Sequence, residues 1–362
     1  MHAVRDLLAG NAPLVLSIGG LLLGCAFGAT VFASNYCAMG ALSDIHSFGD
    51  FRRFRAWVLA AATALAGTQL LQLLGVVPLE RSMYLAPGLN WAGHSLGGAL
   101  LGFGMVFAGG CPSRNLARAG AGDLRALISL LVLGLVAYMT TGGIFAYPRV
   151  YLEKATGIAV AASTQSLGEL LGRLGGLPRT SGDILVATSL LLAAGAYCFA
   201  DKAFRASPRH VLSGLTVGII VVAGWGLTGL AYDEMATRPL PPTSLTYVRP
   251  TGDALEWLTR FSAAPLPGFG AASVIGALIG AFAAARAMGR FRIVSYADTS
   301  DTLRNLSGAA LMGVGGIMAL GCTVGQAVTG LSTLAAGSFL TFAAIVCGGL
   351  CGLHVLERQV LT

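Results

Sequence analysis

Between Leu14 and Ala33 the chain carries no charged side chain, and comparable apolar, charge-free stretches recur to its end. Runs of this length and composition are the signature of membrane-spanning helices. Only 11% of the 362 residues are charged, less than half the usual share of a soluble domain and too few to give one a polar skin. The chain therefore reads as an all-α polytopic membrane protein, one integral membrane domain over 1–362. The net charge of +7 does not point to nucleic acid. The basic residues fall in short runs between apolar segments, where they act as topology signals. The first apolar stretch is long for a signal peptide and is preceded only by Arg5 against Asp6, so it reads as the first span. Seven cysteines without a Cys-x-x-Cys pair fit neither a disulfide framework nor a zinc site. No metal, cofactor or nucleotide-hydrolysing motif is expected.

Nine spans are predicted, at 14–34, 55–77, 94–110, 124–146, 183–200, 211–230, 270–288, 305–321 and 333–356. The connection 147–182 contains SLGELLGRL, whose Ser166 and Glu169 have capping-box spacing. That segment and DALEWLTRF in the 231–269 connection read as interfacial helices covering the bundle.

The third and eighth spans repeat one another. GGALLGFGMVFAGGC (97–111) lies over GAALMGVGGIMALGC (308–322) with eight identities in fifteen, the single cysteine among them. The first span echoes 214–222 more weakly, so 14–146 and 211–356 are read as related halves. Copies five spans apart cross the membrane in opposite directions, an inverted repeat common among transporters. The arginines and lysines after spans one, five and seven place those loops in the cytoplasm, the N-terminus outside and the C-terminus inside.

Each repeat ends on Gly-Cys, then a short helix-compatible segment: Cys111 to Asp123, and Cys322 to Ala335. These are read as re-entrant half-helices. Such matched interruptions point to a transporter's binding site, and their free N–H groups favour an anion. Pro112 suits a first helical turn. Asn115 and Gln326 each stand four residues after their cysteine, which puts thiol and amide on one helix face and makes both amides candidates to line the substrate path. Cys37, in NYCAMGALSD after the first span, is a third candidate. Arg114 is a candidate for attracting an anion, and Arg118 an interfacial anchor. Cys25, Cys198, Cys347 and Cys351 are assigned to packing, and His94 to an interface.

SNYCAMGALSD, GGCPSRNLARAGAGDL and ALGCTVGQAVTGLSTLAAGSF resemble the YeeE/YedE sulfur-transport family. The resemblance covers nearly the whole chain, including the YDE and PTGD stretches of 231–269. It differs from the commoner family pattern at Ser113-Arg114. It implies an inner-membrane transporter that takes up thiosulfate or a related sulfur anion along Cys37, Cys111 and Cys322 by S–H···S hydrogen bonds. It also suggests a small cytoplasmic TusA-like sulfurtransferase as partner. Transport of a selenium compound is an alternative. Another is a membrane sulfurtransferase carrying a cysteine persulfide, which would require a base or cation beside the thiol. Thiosulfate suits neutral thiols. It is a dianion with a soft terminal sulfur, so weak successive donors hold it without trapping it, while helix dipoles offset part of its desolvation.

Overall fold

The computed structural model describes residues 11–160, 162–176, 178–236, 239–296 and 298–361. Arg5 and Asp6 lie outside the described residues. The described residues are predominantly helical. In order come α1 (Ala12–Ser34), the short α2 (Ala38–Phe48), α3 (Arg52–Leu73), α4 (Trp91–Phe107), the short α5 (Pro112–Gly120) and α6 (Leu124–Gly142). Next come the connecting helices α7 (Ala146–Thr156) and α8 (Leu167–Leu174), the long apolar α9 (Arg179–Phe199) and the one-turn α10 (Lys202–Arg205). The remainder is α11 (Pro208–Leu230), α12 (Arg249–Thr259), α13 (Phe269–Ala287), α14 (Thr299–Met318) and α15 (Ala336–Leu361). The only regular strands among the described residues are β1 (Gly88–Asn90) and β2 (Gly157–Ala159), which pair antiparallel.

Eight candidate spans are long and apolar enough to cross a bilayer among the described residues, with α1–α2 and α4–α5 each counted as one. The ninth expected segment, 305–321, is α14. Asp301 and Arg304 make its first turns polar, but its later face is buried against α4 and α6.

Glycine sets how closely these helices approach. A Cβ at Gly97 would meet the Gly315 carbonyl at 2.7 Å, and one at Gly104 would meet that of Gly308 at 2.6 Å. Residue numbers rise along α4 as they fall along α14, so the two repeat helices cross antiparallel. The repeat alignment converts one of these contacts into the other. Gly97 corresponds to Gly308, and Gly104 to Gly315. Other partnerships are paired in the same way. α1 packs on α13 as α11 packs on α3, and α15 packs on α4 as α6 packs on α14. Between helices, such small-residue seams take the place of the hydrophobic drive that lipid cannot supply.

One expectation about the connections needs correction. SLGELLGRL does form α8, but not through a capping box. Ser166 Oγ donates to Asp183 Oδ1 at 2.5 Å instead. Glu169 accepts from the Thr164 hydroxyl at 2.6 Å and from the Ser163 hydroxyl and amide, both at 2.8 Å. The helix is tied down by tertiary bonds to α9 because its polar face is buried, not solvated. In the 231–269 connection DALEWLTRF, with only Ala254 buried, forms the outer part of α12 and the turn after it, while the residues before it go inward. Residues 244–248 run buried through the bundle, with the Thr329 hydroxyl donating to Leu245 O at 2.7 Å. α12 then buries Pro250, Thr251, Gly252 and Ala254.

Candidate functional site

α4 and α14 end in the same turn. In α4, Gly109 adopts the left-handed conformation at φ 68°. Gly110 N–H donates to Met105 O at 2.9 Å, and Gly109 N–H to Val106 O at 3.2 Å. In α14, Leu320 takes the left-handed position at φ 57°. Gly321 N–H donates to Gly316 O at 2.8 Å, and Leu320 N–H to Ile317 O at 3.1 Å. These are the two bonds of a Schellman helix end. Each turn swings the chain off its helix axis just before the cysteine.

Beyond the cysteines the two copies differ. Cys111 is the N-cap of regular α5, with Pro112 in the first turn, where its missing N–H costs nothing. After Cys322 the chain winds as a π-helix over Gly325–Gly330 and then as a 3₁₀ turn over Leu331–Thr333. Both segments are short and helical, but only the first is a regular α-helix. π-turns of this sort recur at functional sites.

The structure brings Cys37 and Cys111 together. Cys37 caps α2, accepts from the Gly40 amide at 3.4 Å, and its Sγ lies 4.0 Å from Cys111 Sγ. Cys111 Sγ is also 3.3 Å from Ser113 Oγ. Cys322 has no thiol neighbour at hydrogen-bond distance among the described residues. Its sulfur accepts from the Gly325 amide at 3.3 Å and from the Thr246 hydroxyl at 3.8 Å. All three cysteines are buried and unbridged. Thr246 carries no sequence signal, because it stands in a connection whose polar composition reads as surface.

Asn115 and Gln326 hold equivalent places, each with its NH₂ group turned back to the preceding helix end. Asn115 Nδ2 donates to Gly110 O at 3.2 Å, and Gln326 Nε2 donates to Ala319 O at 2.5 Å. Their oxygens, Oδ1 and Oε1, are buried without a hydrogen-bond partner. Arg114 stands close behind Cys111, and its Nη1 is also buried and unpartnered. Arg118 is engaged, with Asp123 Oδ2 at 2.7 Å and Gly109 O at 2.8 Å.

A cavity of about 510 Å³ reaches this region, with Thr246, Leu320 and Gly321 in its wall. A larger one of about 970 Å³ lies between α3 and α9 and includes none of the cysteine motifs. The four other cysteines stand apart. Cys198 donates to Arg55 O at 3.4 Å, Cys25 sits in the α1–α13 seam, and Cys347 and Cys351 are exposed on the outer face of α15. His94 is buried, its Nδ1 2.7 Å from Thr341 Oγ1. No cluster of three or more His, Cys, Asp or Glu that could hold a metal occurs among the described residues.

A family model described as sulphur transport matches residues 33–351. The chain belongs to the sulphur-transport family. This sulphur-transport protein is 26% identical over 350 residues to the thiosulfate transporter TsuA of Spirochaeta thermophila, covering 94% of this chain and 99% of that protein. It is 26% identical over 323 residues to the TsuA of Escherichia coli, covering 85% and 86% respectively. It is also 30% identical over 177 residues to a probable transporter, YedE, of Salmonella typhimurium, covering 48% and 40%. The YeeE/YedE resemblance of its cysteine motifs is thus a family relationship, and the chain is a multi-pass membrane protein of a transporter family.

Proposed function

We propose that this protein imports thiosulfate, or a closely related sulfur anion, across the bacterial inner membrane along a path lined by Cys322, Cys111 and Cys37. The observation that carries the reading is the pairing of three buried thiols with two half-helix starts. In this reading the cavity beside Thr246 and Leu320 admits the anion to Cys322. The terminal sulfur then passes to Cys111 and on to Cys37, 4.0 Å away, as each thiol donates in turn. The thiol is the working form because a thiolate beside a dianion would be a like-charge pair. The half-helix N–H groups and the unpartnered Arg114 Nη1 offset part of the anion's desolvation. Asn115 and Gln326 serve the path by holding the turns before the cysteines. Their NH₂ groups are already engaged there, and their oxygens repel an anion.

The halves 14–146 and 211–356 form the inverted repeat of this transporter, a reading supported by the antiparallel α4–α14 crossing. The N-terminus lies outside and the C-terminus in the cytoplasm, where a TusA-like sulfurtransferase receives the product. Reporter fusions that place both ends in one compartment would remove the odd span count.

The substrate test is uptake of labelled thiosulfate into proteoliposomes, with sulfate and selenite as competitors. Strong competition by thiosulfate and little by sulfate is expected. Preferential competition by selenite would move the reading to a selenium compound. A persulfide on Cys111 after turnover, found by mass spectrometry, would favour the sulfurtransferase, while substrate arriving with its S–S bond intact favours transport.

A further inference from the structure

Two tyrosines occupy equivalent places in the two halves. Asn35 ends α1 in a left-handed cap at φ 62°, and Tyr36 comes immediately before Cys37, the N-cap of α2. Tyr247 stands immediately before Val248, the N-cap of α12. Both short helices succeed the first long helix of their half, α1 and α11. Both tyrosines are buried, at 1% and 0% exposure.

Their rings are fixed by packing. Tyr36 stacks on Trp57 with centroids 4.4 Å apart, and Tyr247 lies against Phe27 at 4.9 Å. Their hydroxyls, in contrast, have no hydrogen-bond partner. Leaving a buried polar group unpaired is costly, and native proteins rarely do so. Here it happens at both matched positions. Each tyrosine is tied by its chain neighbour to the Gly-Cys thiol of its own half: Tyr36 adjoins Cys37, whose Sγ lies 4.0 Å from Cys111 Sγ, and Tyr247 adjoins Thr246, whose hydroxyl donates to Cys322 Sγ at 3.8 Å.

We infer that the Tyr36 and Tyr247 hydroxyls are the oxygen-binding half of two anion subsites, donating to the sulfonate oxygens while Cys111 and Cys322 hold the terminal sulfur. The inference rests on the thiosulfate reading and deepens it. A thiol is a weak, soft donor suited to sulfur, and a phenol is a stronger, harder one suited to oxygen. One of each, held on rigid backbone, recognises an anion with a soft end and an oxygenated end. A fully oxygenated anion leaves the thiol poorly used, and a purely sulfidic one leaves the phenol unpaired. Such unpaired polar groups are the strongest source of discrimination between similar ligands. Because the hydroxyl is already desolvated and its ring immobile, little reorganisation opposes binding.

The test uses the full-length purified protein, thiosulfate as ligand, and Tyr36→Phe and Tyr247→Phe, which keep ring and packing. The dissociation constant should rise about ten-fold or more in each variant, as for a lost hydrogen bond to a charged group, with melting temperature unchanged. Saturating thiosulfate should also perturb the near-ultraviolet tyrosine spectrum of the parent, and each variant should lose part of that change. Parent-like affinity in both phenylalanine variants overturns the assignment. Where a variant proves unstable the parent spectrum decides, and no tyrosine perturbation at saturation likewise overturns it. If the parent binds no thiosulfate at all, the transport reading fails, and the tyrosine assignment falls with it.

Discussion

The two Gly-Cys turns share a helix end and part company one residue later. Both α4 and α14 close with the same pair of backbone bonds, and both place a cysteine at the following N-terminus. The first copy uses Gly109 where the backbone must turn left-handed. The second puts Leu320 there, at a position where a side chain costs roughly 1–2 kcal/mol. The first continues as a regular α-helix and hands its thiol a second thiol. The second continues as a π-helix and gives its thiol a hydroxyl, Thr246. Strain and irregular winding therefore collect in the copy whose thiol stands alone beside the cavity. Pairing of thiols collects in the other. On the proposed path this difference suits different work: Cys322 would receive the anion, and Cys111 would pass it on.

The largest effect expected is at Cys111. Cys111→Ala removes the middle donor of the proposed path, the one beside a second thiol, and should abolish most uptake, whereas Cys322→Ala and Cys37→Ala leave a remnant. For a step limited by one such contact the loss is about five- to a hundred-and-fifty-fold. Uptake normalised to protein in the membrane ranks the three, and equal losses would erase the proposed division of labour.

Next come the amides. Asn115→Leu and Gln326→Leu should each cut uptake while membrane insertion persists, because each frees the turn before its cysteine. Gln326→Leu should be the more damaging, since a π-helix has fewer well-formed bonds of its own. Unchanged uptake in both variants would make the amides simple packing.

Exchanging the turn residues tests the strain directly. Gly109→Leu should destabilise the protein by about 1–2 kcal/mol. Leu320→Gly should relieve that strain and lose only side-chain contacts, so its melting temperature should move less. A larger loss from Leu320→Gly than from Gly109→Leu contradicts the strain assignment.

A smaller effect is expected away from the path. Hydroxyls and amides of Ser163 and Thr164 hold the Glu169 carboxyl well below its ordinary range, at about 2, against the desolvation of its burial. The bonds that pin α8 are thus fully present above the unfolded carboxyl's value of about 4.3. They weaken as pH falls from there toward 2. Protease cleavage in the 157–182 connection should accelerate over that window in the parent and depend far less on pH in Glu169→Gln. Smallest of all, Cys25, Cys347 or Cys351 replaced by alanine should transport like the parent.

Much of the architecture is legible in the sequence because lipid imposes a simple rule on composition. Charge-free stretches mark the helices, and the 97–111 and 308–322 alignment marks the repeat without any geometry. The same alignment makes Cys111, Cys322 and their amides candidates. Four features escape for identifiable reasons. Thr246 and Tyr247 sit in a polar, proline-bearing connection, and composition cannot tell a surface loop from one threaded through a bundle. The π-helical segment after Cys322 makes tertiary bonds, such as that of Thr329 to Leu245, which no local pattern encodes. Ser166 and Glu169 match a local capping signal that tertiary partners outbid. The contact between Cys37 and Cys111 joins residues with no shared local pattern, and only the fold places them side by side.

The most direct test compares the parent chain with the triple variant Cys37→Ala, Cys111→Ala, Cys322→Ala, measuring labelled thiosulfate uptake into proteoliposomes at matched protein content. The thiol path predicts saturable uptake by the parent and only background accumulation in the triple variant. Parent-rate uptake by a chain retaining none of the three thiols would contradict it.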